Sequence, residues 1–319
     1  MNLIKRSISK PIKSLLSKYP ILAITGPRQS GKTTLLKEVF TDYRYVSLEN
    51  TDTRAFANED PLGFLEKYDT RVIFDDVQRS PGLFPYLQTM VDESGQMGQF
   101  ILSGSQNFHL LENITQSLAG RVALFKLLPF DISELDAESL LPEDWESLII
   151  KGFYPAIYDR KLDPAVFYAN YLQTYINRDV ASLTNVQDTR RFQNFIRLCA
   201  ARNGQLLNMS NLANECGISQ PTAKSWLSIL ESSYLVFLLA PYYENFSKRI
   251  VKTPKLYFYD TGLAAFLLGL RSAEDFADRT LLGSLFEAMI IGDILKQNHH
   301  RYLLKEYWFW RDSAGHEID

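Results

Sequence analysis

Gly26, Gly31, Lys32 and Thr33 stand in "GPRQSGKTTLL" at the spacing G-x-x-x-x-G-K-[ST]. Those residue types at those intervals suit one chemistry. Backbone N–H groups of Gln29, Ser30, Gly31, Lys32 and Thr33 wrap a phosphate chain, and a helix opening at Thr34 adds favourable partial charge. Lys32 reaches the β and γ phosphates, and the Thr33 hydroxyl ligates Mg²⁺. The alternative is a glycine-rich turn that binds nothing. Against it, residues 21–25 read as a buried strand, and residues 34–40 read as a helix with Leu35, Leu36 and Val39 on one side.

Such a loop needs a carboxylate from a neighbouring strand. "RVIFDDVQRSP" at 71–81 offers one. Residues 72–74 are apolar, and Asp75 stands where the chain leaves the strand, as a ligand of the Mg²⁺ water shell does. Asp76 is the candidate that orients an attacking water; a solvated acidic turn is the other reading of both residues. A third strand at 100–102 leads into Ser103, Gly104, Ser105, Gln106 and Asn107. A polar side chain here, Ser103 foremost, either senses the terminal phosphate or belongs to a plain Ser/Gly turn. Arg121 in "SLAGRV" is either an arginine finger acting in trans or a helix-end arginine.

These elements sit in a chain of 319 residues, long enough for two or three domains. Its composition, 46% hydrophobic and 22% charged, is that of a globular protein. A net charge of −3 advertises no nucleic-acid binder, so any such surface is local. Two cysteines, Cys199 and Cys216, form neither a metal motif nor a disulfide framework and suit a reducing, cytoplasmic setting. The N-terminus lacks the apolar region of a secretory signal, and no run approaches the ~20 residues of a spanning helix, so no membrane partner is expected.

The motifs "GPRQSGKTTLL", "VIFDDVQRSPGLFPYLQ", "ILSGSQNFHLL", "SLAGRV", "LLPFDISEL", "YLQTYINRDV" and "PKLYFYDTGLAAFLLG" resemble a bacterial and archaeal family of AAA-like P-loop ATPases. Its members carry a C-terminal region of unknown function. The resemblance implies an α/β fold with a five-stranded core of interleaved strands, and ATP and Mg²⁺ as ligands. It implies no assigned substrate. One departure matters: the family reads Asp-Glu where this chain has Asp75-Asp76. The shorter side chain holds a water about one methylene further away, and small misplacements cost orders of magnitude in rate. ATP binding is therefore expected, with slow hydrolysis or none.

The expected organisation is an AAA-like P-loop core at 1–130, a helical lid at 131–189, a winged helix at 190–260 and a partial nuclease-like α/β segment at 261–319. The lid comes from the resemblance; the segment 164–183 reads as a long amphipathic helix with Phe167, Tyr171, Thr174 and Ile176, and Arg178 and Asp179 end its exposed face, where a local surface ion pair is the plain reading. "SNLANECGISQPTAKSWLSILESSYLV" reads as two helices around Gly217. Ser210 and Ser219 are the expected caps, and Ala223, Trp226, Leu227, Leu230 and Tyr234 face inward. Runs at 235–239 and 256–259 then make a hairpin, completing a winged helix.

The second helix exposes one cation, Lys224. The wing adds Lys248, Arg249, Lys252 and Lys255 in "SKRIVKTPK", which fits phosphate contacts with DNA or a solvated face on a protein-binding or lid module. In the last segment, Glu287 on a helix and Asp319 in a hairpin resemble the first half of a PD-(D/E)xK nuclease metal site. The sequence stops before any Glu-x-Lys strand, as a truncated gene would, and a salt-bridged packing helix is the expected role for Glu287. A homo-oligomer is suggested by Arg121 alone.

Overall fold

The computed structural model describes residues 4–104, 114, 116–176, 189–242, 253–276, 279–312 and 316–318. The chain divides into two compact units: one is 5–129 with 297–303, the other 1–4, 130–296 and 304–319.

In the first unit, Ser9–Leu16 (α1) precedes Ile21–Thr25 (β1), Lys32–Val39 (α2) and Arg44–Ser47 (β2). Thr51–Glu59 (α3) and Pro61–Lys67 (α4) lead to Val72–Asp75 (β3), Leu83–Ser94 (α5), Phe100–Ser103 (β4) and Val122–Lys126 (β5). The five strands lie in the order β2-β3-β4-β1-β5, all parallel. β1, β3 and β4 are buried on both faces, which explains their unbroken apolar runs. Alternation along each strand assigns the faces. Leu22, Ile24, Ile73 and Ile101 pack with Ile8, just ahead of α1, Ile12 of α1 and Leu35 and Leu36 of α2. Ile21, Ala23, Phe74, Phe100 and Leu102 pack with Phe64 and Leu65 of α4 and Leu83, Phe84 and Leu87 of α5. Caps set the helix starts: Asn50 accepts from Thr53 N–H and Asp60 from Gly63 N–H. The interleaved five-stranded core implied by the resemblance is present.

The second unit is mostly helical, with one hydrophobic core running from Phe130 to Met289. Asp260 is a hub of this core. Its carboxylate accepts from Phe153 N–H at 2.8 Å, the Tyr168 hydroxyl at 2.6 Å and Leu263 N–H at 2.9 Å. The helix Pro164–Tyr175 buries Phe167 and Tyr171. Thr174 is exposed and donates its hydroxyl to Asn170 O at 2.8 Å. Arg178 and Asp179 lie outside the described residues.

Further on, the helix Thr189–Ala201 is followed by Gln205–Leu206 (β6), the helices Met209–Cys216 and Gln220–Ser232, Val236–Leu239 (β7) and Lys255–Phe258 (β8). The strands form an antiparallel sheet in the order β6-β8-β7. Gly217 ends the first helix at φ +63°, a left-handed position that glycine tolerates, and Ser219 caps the next. The other expected cap moves: Asn208, two residues before Ser210, accepts from Asn211 N–H at 3.0 Å. The helix Arg279–His300 follows, then Trp310–Arg311 (β9) paired antiparallel with Glu317–Ile318 (β10). Among the described residues, no helix is long and apolar enough to cross a membrane.

Candidate functional site

The C-terminal ends of β1, β3 and β4 converge because the three strands are adjacent and parallel. Ile24 pairs with Ser103, and Ser103 pairs with Asp75. The loop from Gly26 to Gly31 leaves β1 at this edge and enters α2. Gly26 has φ +148°, and a Cβ there would lie 2.0 Å from Leu127 O, so the position admits only glycine. Gln29 at φ +61° and Gly31 at φ +93° complete the curl that aims the chain into the helix.

Lys32 and Thr33 are the first two residues of α2. Lys32 is buried, and its Nζ donates to the carbonyls of Gly26 at 2.8 Å and Pro27 at 2.7 Å. The Thr33 hydroxyl donates to Asp75 Oδ2 at 2.7 Å. Loop and acidic strand end, 42 residues apart in sequence, thus meet through one hydroxyl. Asp75 is buried, and its other oxygen accepts from Asp76 N–H at 3.2 Å. Asp76 takes the left-handed conformation at φ +57°, and its carboxylate accepts from Gln78 at 3.0 Å.

Several polar atoms at this edge fit a polar ligand. The hydroxyls of Ser30 and Ser103 are buried without a hydrogen-bond partner. Burying an unpartnered hydroxyl costs roughly 1–3 kcal/mol, so such atoms mark a place where a ligand's oxygens complete the bonding. The Thr33 hydroxyl with the Asp75 carboxylate is an all-oxygen donor set, the kind that Mg²⁺ prefers.

Arg121 stands apart from this edge. Its backbone carbonyl accepts from Ile21 N–H at 3.2 Å, which places it at the N-terminal end of β5 beside the N-terminal end of β1, opposite the loop. Its guanidinium grips Asp92 of α5 with two bonds of 2.6 and 2.7 Å. That pairing draws the Asp92 carboxyl below its usual range.

Two contributors carry no motif. Tyr45 on β2 donates its hydroxyl to Asp75 Oδ2 at 2.7 Å; burial first, and the bond to Asp75 second, raise its pKa and keep it a donor. Arg6, ahead of α1, is buried and donates to the carbonyls of Ser30 at 2.8 Å and Leu128 at 2.6 Å, bracing the loop from behind. A lone arginine and a strand tyrosine give no local pattern from which these contacts follow.

In the second unit, the expected basic wing is corrected at one position. Lys255 is 3% exposed, pairs with Glu287 at 3.3 Å and also contacts Glu317. It does not face solvent, because β8 is buried at every position. Lys224 is exposed on its helix, whereas Lys248, Arg249 and Lys252 lie outside the described residues, as does Asp319. Glu287 accepts from Lys255 and from the Tyr257 hydroxyl, so it is the salt-bridged residue expected of a packing helix.

Comparison with known proteins agrees with this geometry. Residues 18–136 match a family model described as an AAA domain, and residues 142–274 match a domain of unknown function (DUF8612). An uncharacterized protein of Mycobacterium tuberculosis is 28% identical over 318 residues, spanning 99% of this chain and 70% of the relative. An uncharacterized protein of Haemophilus influenzae is 24% identical over 290 residues, covering 81% of this chain and 72% of the relative. Among solved structures, the Walker-type ATPase paby2304 of Pyrococcus abyssi superposes with a TM-score of 0.53 at 15% identity, covering 83% of this chain and 96% of that one. Parallel sheet, loop geometry and family match converge: residues 18–136 resemble an AAA domain and have a fold like that of a Walker-type ATPase.

Proposed function

We infer that this chain binds ATP with Mg²⁺, hydrolyses it slowly, and uses the nucleotide state to control its C-terminal unit. The observation that carries the reading is the 2.7 Å bond between the Thr33 hydroxyl and Asp75, which joins the phosphate loop to the acidic strand end. In this reading the loop from Gly26 to Thr34 and Lys32 hold the phosphates. Thr33 and Asp75 hold the metal, Asp76 orients water, and Ser103 contacts the terminal phosphate. Mg²⁺ supplies charge neutralisation across the phosphates. Arg121 acts in trans only if a partner subunit competes with Asp92 for its guanidinium.

The order helix, strand, helix, helix, strand, strand from Thr189 to Phe258 supports a winged-helix reading of the output module. DNA contact then rests on Lys224 with Lys248, Arg249 and Lys252, without Lys255. The second reading is a nucleotide-gated binding protein with negligible turnover. Asp76, one methylene shorter than the glutamate of the resembling family, favours it.

Mg²⁺-dependent phosphate release from ATP, with and without duplex DNA, separates the two. Release that disappears in Lys32→Ala is expected, and DNA stimulation would give the winged helix its role. Tight ATP binding with no release would overturn the enzyme reading and leave the gated one.

A further inference from the structure

Asp75 Oδ2 accepts two hydroxyls at once, Thr33 from α2 and Tyr45 from β2, each at 2.7 Å. The strand register makes the second contact possible. Ser47 of β2 stands opposite Asp75, and Tyr45 is two residues earlier, on the same face and on the diagonal to Asp75. The tyrosine ring is itself held, with Lys37 Nζ 3.8 Å from its centroid. Lys37 lies on the helix that opens with Lys32 and Thr33. The contacts therefore close a ring, from α2 through Lys37 to Tyr45, on to Asp75, and back through Thr33 to α2.

A carboxylate at a strand end has a free χ2, so without a second donor its two oxygens are not fixed in space. The Asp76 N–H reaches Oδ1 at 3.2 Å, a long bond. Thr33 and Tyr45 supply short ones, and in the reading above the Thr33 hydroxyl also serves the metal, which leaves Tyr45 as the donor given to the carboxylate alone. We propose that Tyr45 is a positioning residue for the Mg²⁺ of the nucleotide site, its hydroxyl fixing the Asp75 carboxylate plane that faces the metal and its water shell. The inference rests on the Mg²⁺–ATP reading given above. A hydroxyl serves this purpose better than a lysine or arginine, because it orients the carboxylate without cancelling the charge that attracts the cation. Outer partners of this kind typically alter metal affinity by about tenfold or more when removed.

Tyr45→Phe keeps the ring and its contact with Lys37 and deletes only the hydroxyl. The test measures binding of a fluorescent, non-hydrolysable ATP analogue across a Mg²⁺ titration, with Mn²⁺ counted by electron paramagnetic resonance in the same complex. The expected result is a half-saturating metal concentration raised about tenfold in Tyr45→Phe, with metal-free nucleotide affinity within twofold of wild type. An unchanged metal midpoint would overturn the proposal. So would an equal loss of metal-free affinity, which would mean that the hydroxyl shapes the loop instead. Failure of the wild type to bind the analogue at any metal concentration would instead overturn the nucleotide reading beneath it, so the two failures are told apart.

Discussion

The proposed nucleotide edge of the first unit and the β8 cluster of the second use nearly the same residue types and hold them differently. At the first, Lys32 donates to backbone carbonyls while Asp75 receives hydroxyls from Thr33 and Tyr45. At the second, Lys255 meets Glu287 and Glu317 directly, and Tyr257 bonds Glu287. Hydroxyls orient a carboxylate and leave its charge, whereas a lysine neutralises it. In the proposed reading, the first arrangement serves phosphates and a divalent cation. The second consumes its charges in holding β8, the helix Arg279–His300 and β10 together. Residue type alone does not separate a binding site from a structural one; the partner does.

The largest effect that tests this contrast is Lys32→Ala. It should weaken ATP binding by roughly 100-fold, the cost of removing a buried charged contact, and leave the melting temperature nearly unchanged. Titration calorimetry beside a thermal melt reads both. A large drop in melting temperature with intact binding would reverse the roles of the two clusters. Lys255→Met should do the opposite, destabilising the fold by about 2 kcal/mol, below the usual cost of a broken buried pair because both carboxylates are part-exposed. Its ATP affinity should match wild type. Denaturant unfolding checks the first statement. In the double variant Lys255→Met/Glu287→Gln part of the loss should return, because one uncompensated charge is removed. No recovery would argue against charge pairing as the purpose of the cluster.

These contrasts also mark what was legible in the sequence. That Gly26, Gly31, Lys32, Thr33 and Asp75 belong together was readable, because a phosphate loop is expected at that spacing and a carboxylate ending an apolar strand is a recognisable pattern; their roles are the proposal made above. β1, β3 and β4 were readable from their apolar runs, whereas β2 and β5, only part-buried, carry no such run and were not read as strands. The resemblance implied only that sequence-distant strands interleave; the order β2-β3-β4-β1-β5 was not legible, since parallel pairing links residues far apart along the chain. Tyr45 and Arg6 were invisible for the same reason: each acts on a partner at least 24 residues away. Lys255 was misread because "SKRIVKTPK" looks like one basic surface. The strand that opens at Lys255 is buried on both faces, and this turns the last lysine inward. Ser210 was misplaced as a cap because Asn208, two residues earlier, is an equally good acceptor and the chain begins the helix there.

Smaller effects sharpen the account of the nucleotide edge. Asp76→Glu restores the pair of acids found in the resembling family and should raise phosphate release about tenfold at saturating ATP with unchanged affinity. Steady-state kinetics gives the two quantities separately. A fall in rate would mean that the left-handed backbone at Asp76 aims the side chain away from the attacking water. The smallest expected effect is that of Arg121→Ala. Its exposed bond to Asp92 carries little stability, so melting should be unchanged. If Arg121 acts between subunits, specific activity will rise with protein concentration in wild type and stay flat in the variant.

Thr33 and Asp75 together form the proposed metal–nucleotide site. Calorimetric titration of ATP with and without Mg²⁺, in wild type and in Asp75→Asn, tests that most directly. The prediction is that Mg²⁺ strengthens ATP binding in wild type and that Asp75→Asn abolishes this gain while keeping metal-free binding. Mg²⁺ enhancement that survives in Asp75→Asn would contradict it.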